Sequence, residues 1–226
     1  MGLKESGLRG SLRNVSVGID AIPDSVVSRW QFNDDSDTSI AIDSEGANDG
    51  DITGATYTTN AIEGSHALEY TDGTDEVSLG NITDSEDAIG TIGCWVNADS
   101  FSADDIIFET NGYRFGIGHE RVGSNGIEGR AFDGSSSVEV TSGVSTTNDW
   151  LHTALTWNGS EIELYIDGSS QGTASISSIE ITTANDMIGQ SDSEDERAID
   201  GRIDDAFYSD VAMGESEIND MISLAD

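Results

Sequence analysis

The sequence predicts an all-β chain, two packed antiparallel sheets, with a short C-terminal helix and an extended N-terminal arm. Three observations carry this. Short runs of alternating apolar and polar residues recur from Val26 onward, separated by Gly, Asn and Asp turns. The single proline, Pro23, lies ahead of all of them. Only the last residues change to a helical period. At 226 residues the chain suits one sandwich, and four Trp, five Tyr and six Phe supply its core.

Taken in order, residues 1–25 form the arm and 26–226 the sandwich. Within the first 30 residues Lys4, Arg9, Arg13 and Arg29 stand against Glu5, Asp20 and Asp24, a net +1 that leaves −36 for the rest. Spaced apolar residues in the arm (Leu3, Leu8, Leu12, Val15, Val17, Ile19) fit an extended segment lying on another surface, and a frayed terminus is the alternative. Strands are expected at 26–32, 66–70, 76–79, 90–97, 106–109, 114–119, 126–132, 137–140, 186–188 and 201–208. The clearest pattern is Leu151 to Ile166. Leu151, Thr153, Leu155 and Trp157 alternate with His152, Ala154 and Thr156, Asn158-Gly159 offers a primed hairpin turn, and Ile162, Leu164 and Ile166 alternate with Glu161, Glu163 and Tyr165. This reads as two strands with one buried face, extended to 171–175 by a second turn at Asp167-Gly168. Glu215 to Ser223, with Ile218, Met221 and Ile222 at helical spacing and acids in the first turn, is the helix.

The charge is extreme. Forty-four Asp and Glu against nine Lys and Arg give −35, which destabilises a compact chain in dilute buffer. At about 1 M salt the Debye length falls to roughly 3 Å and the repulsion is screened, so the chain reads as halophilic. A docking patch for a basic partner is the rival reading, but the carboxylates are scattered among the turns. Nucleic acid and anionic membranes are excluded as partners by this surface. No run approaches the roughly 18 apolar residues of a membrane span, and the start lacks the apolar stretch of a signal peptide. The one cysteine, Cys94, sits in an apolar run and reads as a core residue.

Several motifs, in order, resemble a known family. Ser28-Arg29-Trp30-Gln31-Phe32-Asn33-Asp34 opens the series, followed by the loop from Ala41-Ile42-Asp43-Ser44 to Asn48-Asp49-Gly50. Then come His66 to Gly73, Thr91-Ile92-Gly93-Cys94-Trp95-Val96, Trp150 to Gly159, Leu164 to Gly168, and Gly201-Arg202-Ile203-Asp204-Asp205-Ala206-Phe207-Tyr208. Together, over roughly 26–224, they resemble the laminin-G-like jelly rolls of the concanavalin A-like lectin/glucanase superfamily, which also holds the pentraxins. The arm, Gly10 to Ser25, is similar to the start of such proteins carried by haloarchaeal tailed viruses and proviruses.

The resemblance implies a jelly-roll sandwich and calcium, a cation that takes six to eight oxygen ligands. One ligand set would be Asp43 and Asn48 with Asp204 or Asp205. A second, pentraxin-like set would be Asn111 facing the 190–194 loop, with Asp192 and Glu194. The alternative for both is solvated turn carboxylates. The family's hydrolase branch carries Glu-x-Asp-x-x-Glu on one strand, which is absent, and Glu161 and Glu163 read as a solvated edge. His66, His119 and His152 have no nucleophile partner at motif spacing, so no enzyme is expected. The resemblance points to a virion structural or adhesion protein on the virion surface, a capsid appendage, turret or tail fibre. Its arm would contact other virion proteins, its sandwich a host-surface glycan or glycoprotein, and it would be a homo-oligomer. The alternatives are a free-standing extracellular calcium-dependent lectin, with sugars stacked on Tyr57 or Tyr113, and a polysaccharide hydrolase.

Overall fold

A computed structural model of the chain describes residues 21–34, 36–83, 89–110, 115–119, 126–179, 184–191 and 197–225. Alternating sequence makes strands that need a partner face, and the chain supplies two. The strands run β1 (Val26–Trp30), β2 (Ile40–Ala41), β3 (Gly50–Thr53), β4 (Thr56–Thr58), β5 (Ala67–Tyr70), β6 (Glu76–Ser78), β7 (Gly90–Ser100) and β8 (Asp105–Thr110). They continue with β9 (Phe115–His119), β10 (Ile127–Phe132), β11 (Ser137–Thr141), β12 (Leu151–Trp157), β13 (Glu161–Ile166), β14 (Ser169–Ser175), β15 (Met187–Ile188) and β16 (Asp200–Ser209), before helix α1 (Glu215–Ser223). One sheet has the order β14-β13-β12-β7-β16-β5-β4 with β1 also on β16, and the other β11-β10-β9-β8-β15-β6-β3-β2. The named strand pairings are antiparallel, and the result is the expected jelly-roll sandwich.

Between the sheets lie Trp30, Trp157, Tyr70, Phe108 and Phe115, all buried, with Leu155, Ile162 and Leu164 from the Leu151–Ile166 pattern. Trp30 meets Phe108 edge-on across this core, ring centroids 6.3 Å apart. The expectation of a single buried face on β12 is corrected. His152, Ala154 and Thr156 are buried too, because α1 lays Ile218 and Met221 over Ala154, Tyr165 and Phe207 in a second, outer core. Glu217 reaches back to the Gly214 N–H at 3.1 Å, closing the helix start. Ile22 and Val26 pack on the same outer core. Residues 1–20, which hold most of the expected arm, lie outside the described residues.

Two turns differ. Asp167 (φ 46°) and Gly168 (φ 72°) form the two-residue primed hairpin turn between β13 and β14. The turn after β12 is instead shifted by one residue to Gly159-Ser160, with the Asn158 N–H donating to the Glu161 carbonyl at 3.1 Å and the Asn158 carboxamide oxygen accepting the Ser160 N–H at 3.1 Å. The sequence reading also missed β2, β3 and β4. They are two to four residues long, and β2 and β4 close the same edge of the two sheets.

Candidate functional site

The edge formed by those missed strands carries a pocket. Its construction starts at β16, whose free side pairs with β5 through residues 201–203 and then with β1 through 206–209. Asp204 and Asp205 sit where the partner changes, at a break in register with β7, and Asp205 takes a left-handed φ of 45°. Each carboxylate then fixes one of the neighbours. Asp205 Oδ1 accepts Nε of Arg29, on β1, at 2.5 Å, in an ion pair sealed from water. Asp204 Oδ2 accepts the N–H groups of Ile62 and Glu63 at 2.9 and 3.0 Å, pinning the β4–β5 connection, and its Oδ1 accepts the Asp205 N–H. Burial pushes the Asp204 carboxyl up to about 7, against the N–H donors of Glu63 and Ile62.

The pinned loop in turn holds the end of β1. Glu63 accepts Gln31 Nε2 at 3.2 Å and Asn33 Nδ2 at 2.6 Å, and Asn33 Oδ1 accepts the N–H groups of Ser65 and His66. Gly64 between them has φ 60°, and a Cβ there would lie 2.2 Å from Asn33 Nδ2. On the other side, Asp43 organises the loop after β2. Its Oδ1 accepts the N–H groups of Arg29, Glu45 and Gly46 at 3.0–3.1 Å and its Oδ2 that of Asn48 at 3.1 Å. Asn48 donates to Ser28 Oγ and its carbonyl accepts Trp30 Nε1. Tyr57 on β4 donates to the Ile40 carbonyl on β2 at 2.9 Å, joining the edges of the two sheets.

What remains between these loops is a pocket of about 180 Å³ lined by Gln31, Phe32, Asn33, Asp34, Ile42, Ser44 and Tyr57. Amides, a carboxylate and a hydroxyl share it with a half-buried aromatic ring and Ile42, a large apolar side chain 42 % exposed. Side-chain and backbone hydrogen bonds from Ser36 hold the Asp34 carboxyl below the usual carboxylate range. This combination of ring, apolar wall and planar polar groups matches the alternating C–H and O–H surface of a sugar.

Asp43, Asn48 and Asp204/Asp205 are thus brought around Arg29, as loop pins. They do not fit a calcium ion: Asp43 Oδ1 already accepts three N–H groups, Asp204 three between its two oxygens, and Asp205 a guanidinium. Among the described residues no group of three or more His, Cys, Asp or Glu is placed to hold a metal. Asn111, Asp192, Glu194 and Tyr113 lie outside the described residues. Their flanks meet, Ser191 Oγ donating to Glu109 Oε1 at 3.3 Å. Cys94 is fully buried with its thiol pushed up to about 12 by burial, and so is unreactive. Arg29, Gln31, Asn33 and Glu63 were not singled out from sequence as site residues, although Arg29 stands as a cation in an aromatic strand of a chain poor in cations.

Comparison with known proteins agrees with this architecture. Residues 71–219 match the family model described as the concanavalin A-like lectin/glucanases superfamily. Domain 4 of AbnA, a GH43 extracellular arabinanase from Geobacillus stearothermophilus solved in complex with arabinotriose, superposes with TM-score 0.71 at 18 % identity, over 87 % of this chain and 98 % of that one. Trypanosoma rangeli sialidase in complex with sialic acid gives 0.67 at 14 %, over 89 % of this chain but only 33 % of the sialidase. The binding domain of Paraclostridial Mosquitocidal Protein 1 gives 0.65 at 15 %, over 86 % of this chain and 50 % of that one. No curated protein matches in sequence. On the family match, which spans most of the sandwich, the chain belongs to the concanavalin A-like lectin/glucanases superfamily.

Proposed function

We propose that the chain is a saccharide-binding adhesion module that seats one sugar ring in the Tyr57 pocket and does no chemistry on it. The observation that carries this is the pocket itself: an aromatic ring, an exposed Ile42 and the Gln31 and Asn33 side chains converge on a concavity of about 180 Å³. That is below the roughly 300 Å³ of drug-sized sites and so suits a single ring. The solved complex of the arabinanase domain with arabinotriose supports a sugar as the class of ligand on this fold.

The binding-only reading has its own support. A glycosidase needs two carboxyls about 5–10 Å apart across the bond, one kept protonated. Asp34 is held ionised, and Glu63 accepts two amides. Asp204, the carboxyl that burial raises, has no exposed surface. An oligosaccharide array at molar salt tests the proposal. Tyr57→Ala should weaken any hit roughly tenfold, by loss of the ring's stacking, while Val27→Ala, an exposed residue outside the pocket lining, should not. Equal binding by wild type and Tyr57→Ala would remove the pocket from the account.

The proposal includes a setting: a halophilic virion-surface protein held by residues 1–25, with a free-standing extracellular lectin as the second reading. The mass in molar salt, with and without residues 1–25, separates them. An oligomer that falls to a folded monomer supports the anchored protein, and a monomer in both forms the lectin.

A further inference from the structure

The saccharide reading leaves the class of sugar open, and the charges at the pocket narrow it. Asp34 lines the pocket, its Oδ1 fixed by the Ser36 N–H at 3.0 Å. Glu63, which is not among the lining residues, takes up one N–H from each of the amides of Gln31 and Asn33. Those amides are therefore oriented with their donors turned toward Glu63. Among the described residues no cation lines the pocket. The four arginines among the described residues each face a carboxylate: Arg29 with Asp205 at 2.5 Å, Arg130 with Glu139 at 3.6 Å, Arg197 with Asp104 at 3.8 Å, and Arg202 with Asp99 and Glu69 at 2.7 and 2.8 Å. Arg29, the arginine bound into the pocket's framework, is 4 % exposed. A sugar carboxylate here would meet a fixed like charge and leave its own charge unpaired, whereas a protonated sugar amine would gain a partner.

We propose that the pocket selects a saccharide bearing a free amino group, held against Asp34, over its neutral counterpart, and rejects acidic sugars. This rests on the reading of the Tyr57 pocket as a sugar site and adds the residue that sets its preference. Because Asp34 is exposed and its hydrogen bonds with Ser36 keep it ionised, the preference should hold through the neutral range and weaken as salt screens the pair.

The test titrates the full chain, at two salt concentrations at which it is folded, with a glucosamine oligomer, its N-acetylated counterpart and a uronic acid oligomer of equal length. Wild type, Asp34→Asn and Tyr57→Ala are compared. The expected result is that wild type binds the amine form roughly two- to fivefold more tightly than the N-acetylated form at the lower salt, as for one exposed charge pair. Asp34→Asn should erase that ratio while keeping the N-acetylated form bound, and the uronic acid should not bind. Uronic acid binding as tight as the amine would overturn the proposal. So would a ratio that survives Asp34→Asn, which would assign the preference to the overall −35 charge. If none of the three binds, or if Tyr57→Ala changes none of them, the sugar-site reading itself fails, an outcome distinct from loss of the preference alone.

Discussion

Arg29 and Asp205 join β1 to β16 through a 2.5 Å Nε to Oδ1 contact closed off from water, at the point where β16 passes from one neighbour to the next. The backbone of Arg29 is equally engaged. Its N–H donates to Asp43, and its carbonyl accepts the N–H of Ser44 at 2.8 Å. One residue therefore ties β1 to β16 and to the loop after β2.

Removing one partner of such a pair strands a buried charge. Arg29→Met and Asp205→Asn are each expected to cost about 3–5 kcal/mol in denaturant unfolding, and the double variant clearly less than the sum. The unfolding midpoint of the wild type should rise with salt as the −35 charge is screened, but the cost of Arg29→Met should persist at high salt, since a buried pair is screened far less. A cost that vanished in salt would place the pair at the surface.

His152 gives an acid-side prediction. Packed against Trp95 and Phe207, with ring centroids 5.3 and 6.1 Å away, it is pushed down by burial from 6.5 to about 3. The unfolded chain takes up this proton first. The contribution is complete above pH 6.5 and is lost as pH falls toward 3. His152→Leu should flatten that part of the stability curve, and an unchanged acid limb would show that the imidazole titrates normally.

Asp204 works in the opposite sense. Its carboxyl keeps its proton to about pH 7 in the fold and loses it near 3.8 when unfolded. The stabilisation is complete below 3.8 and is lost as pH rises through 7. Chemical denaturation between pH 5 and 8, run on wild type and Asp204→Asn, should show a downward slope that the variant lacks.

Gly64→Ala tests the link between the pinned loop and the pocket. The new Cβ must adopt φ 60° and displace the Asn33 carboxamide. A cost of about 1–3 kcal/mol follows, with weaker sugar binding than the stability loss alone produces. Binding unchanged at full occupancy of the folded state would separate Asn33 from recognition.

The sandwich was legible because its central strands are long and apolar: the pattern from Leu151 to Ile166, the run around Trp95 and the β16 motif lie near the middle of a sheet or in the core. The pocket edge was not. Gly50-Asp51-Ile52-Thr53 and Thr56-Tyr57-Thr58 carry one large apolar residue each, and they are strands because β6 and β5 pair with them. Tyr57 was visible as an aromatic suited to sugars, but not its cross-sheet bond to Ile40. The acidic ligand set was legible as a cluster and not as a role. Whether Asp43 faces a cation or four backbone N–H groups depends on how residues 44–48 curl around it, which residue types do not encode.

The most direct measurement of the central claim is the location of bound sugar on the folded protein, by amide chemical-shift mapping with the best array hit at molar salt. Shifts concentrated on residues 31–34, 42–44 and 57, and absent in Tyr57→Ala, are the expected result. Shifts concentrated instead on β8, β9 and β10, around Glu109, Gly118 and Glu128, would contradict the account and move the binding site away from the Tyr57 edge.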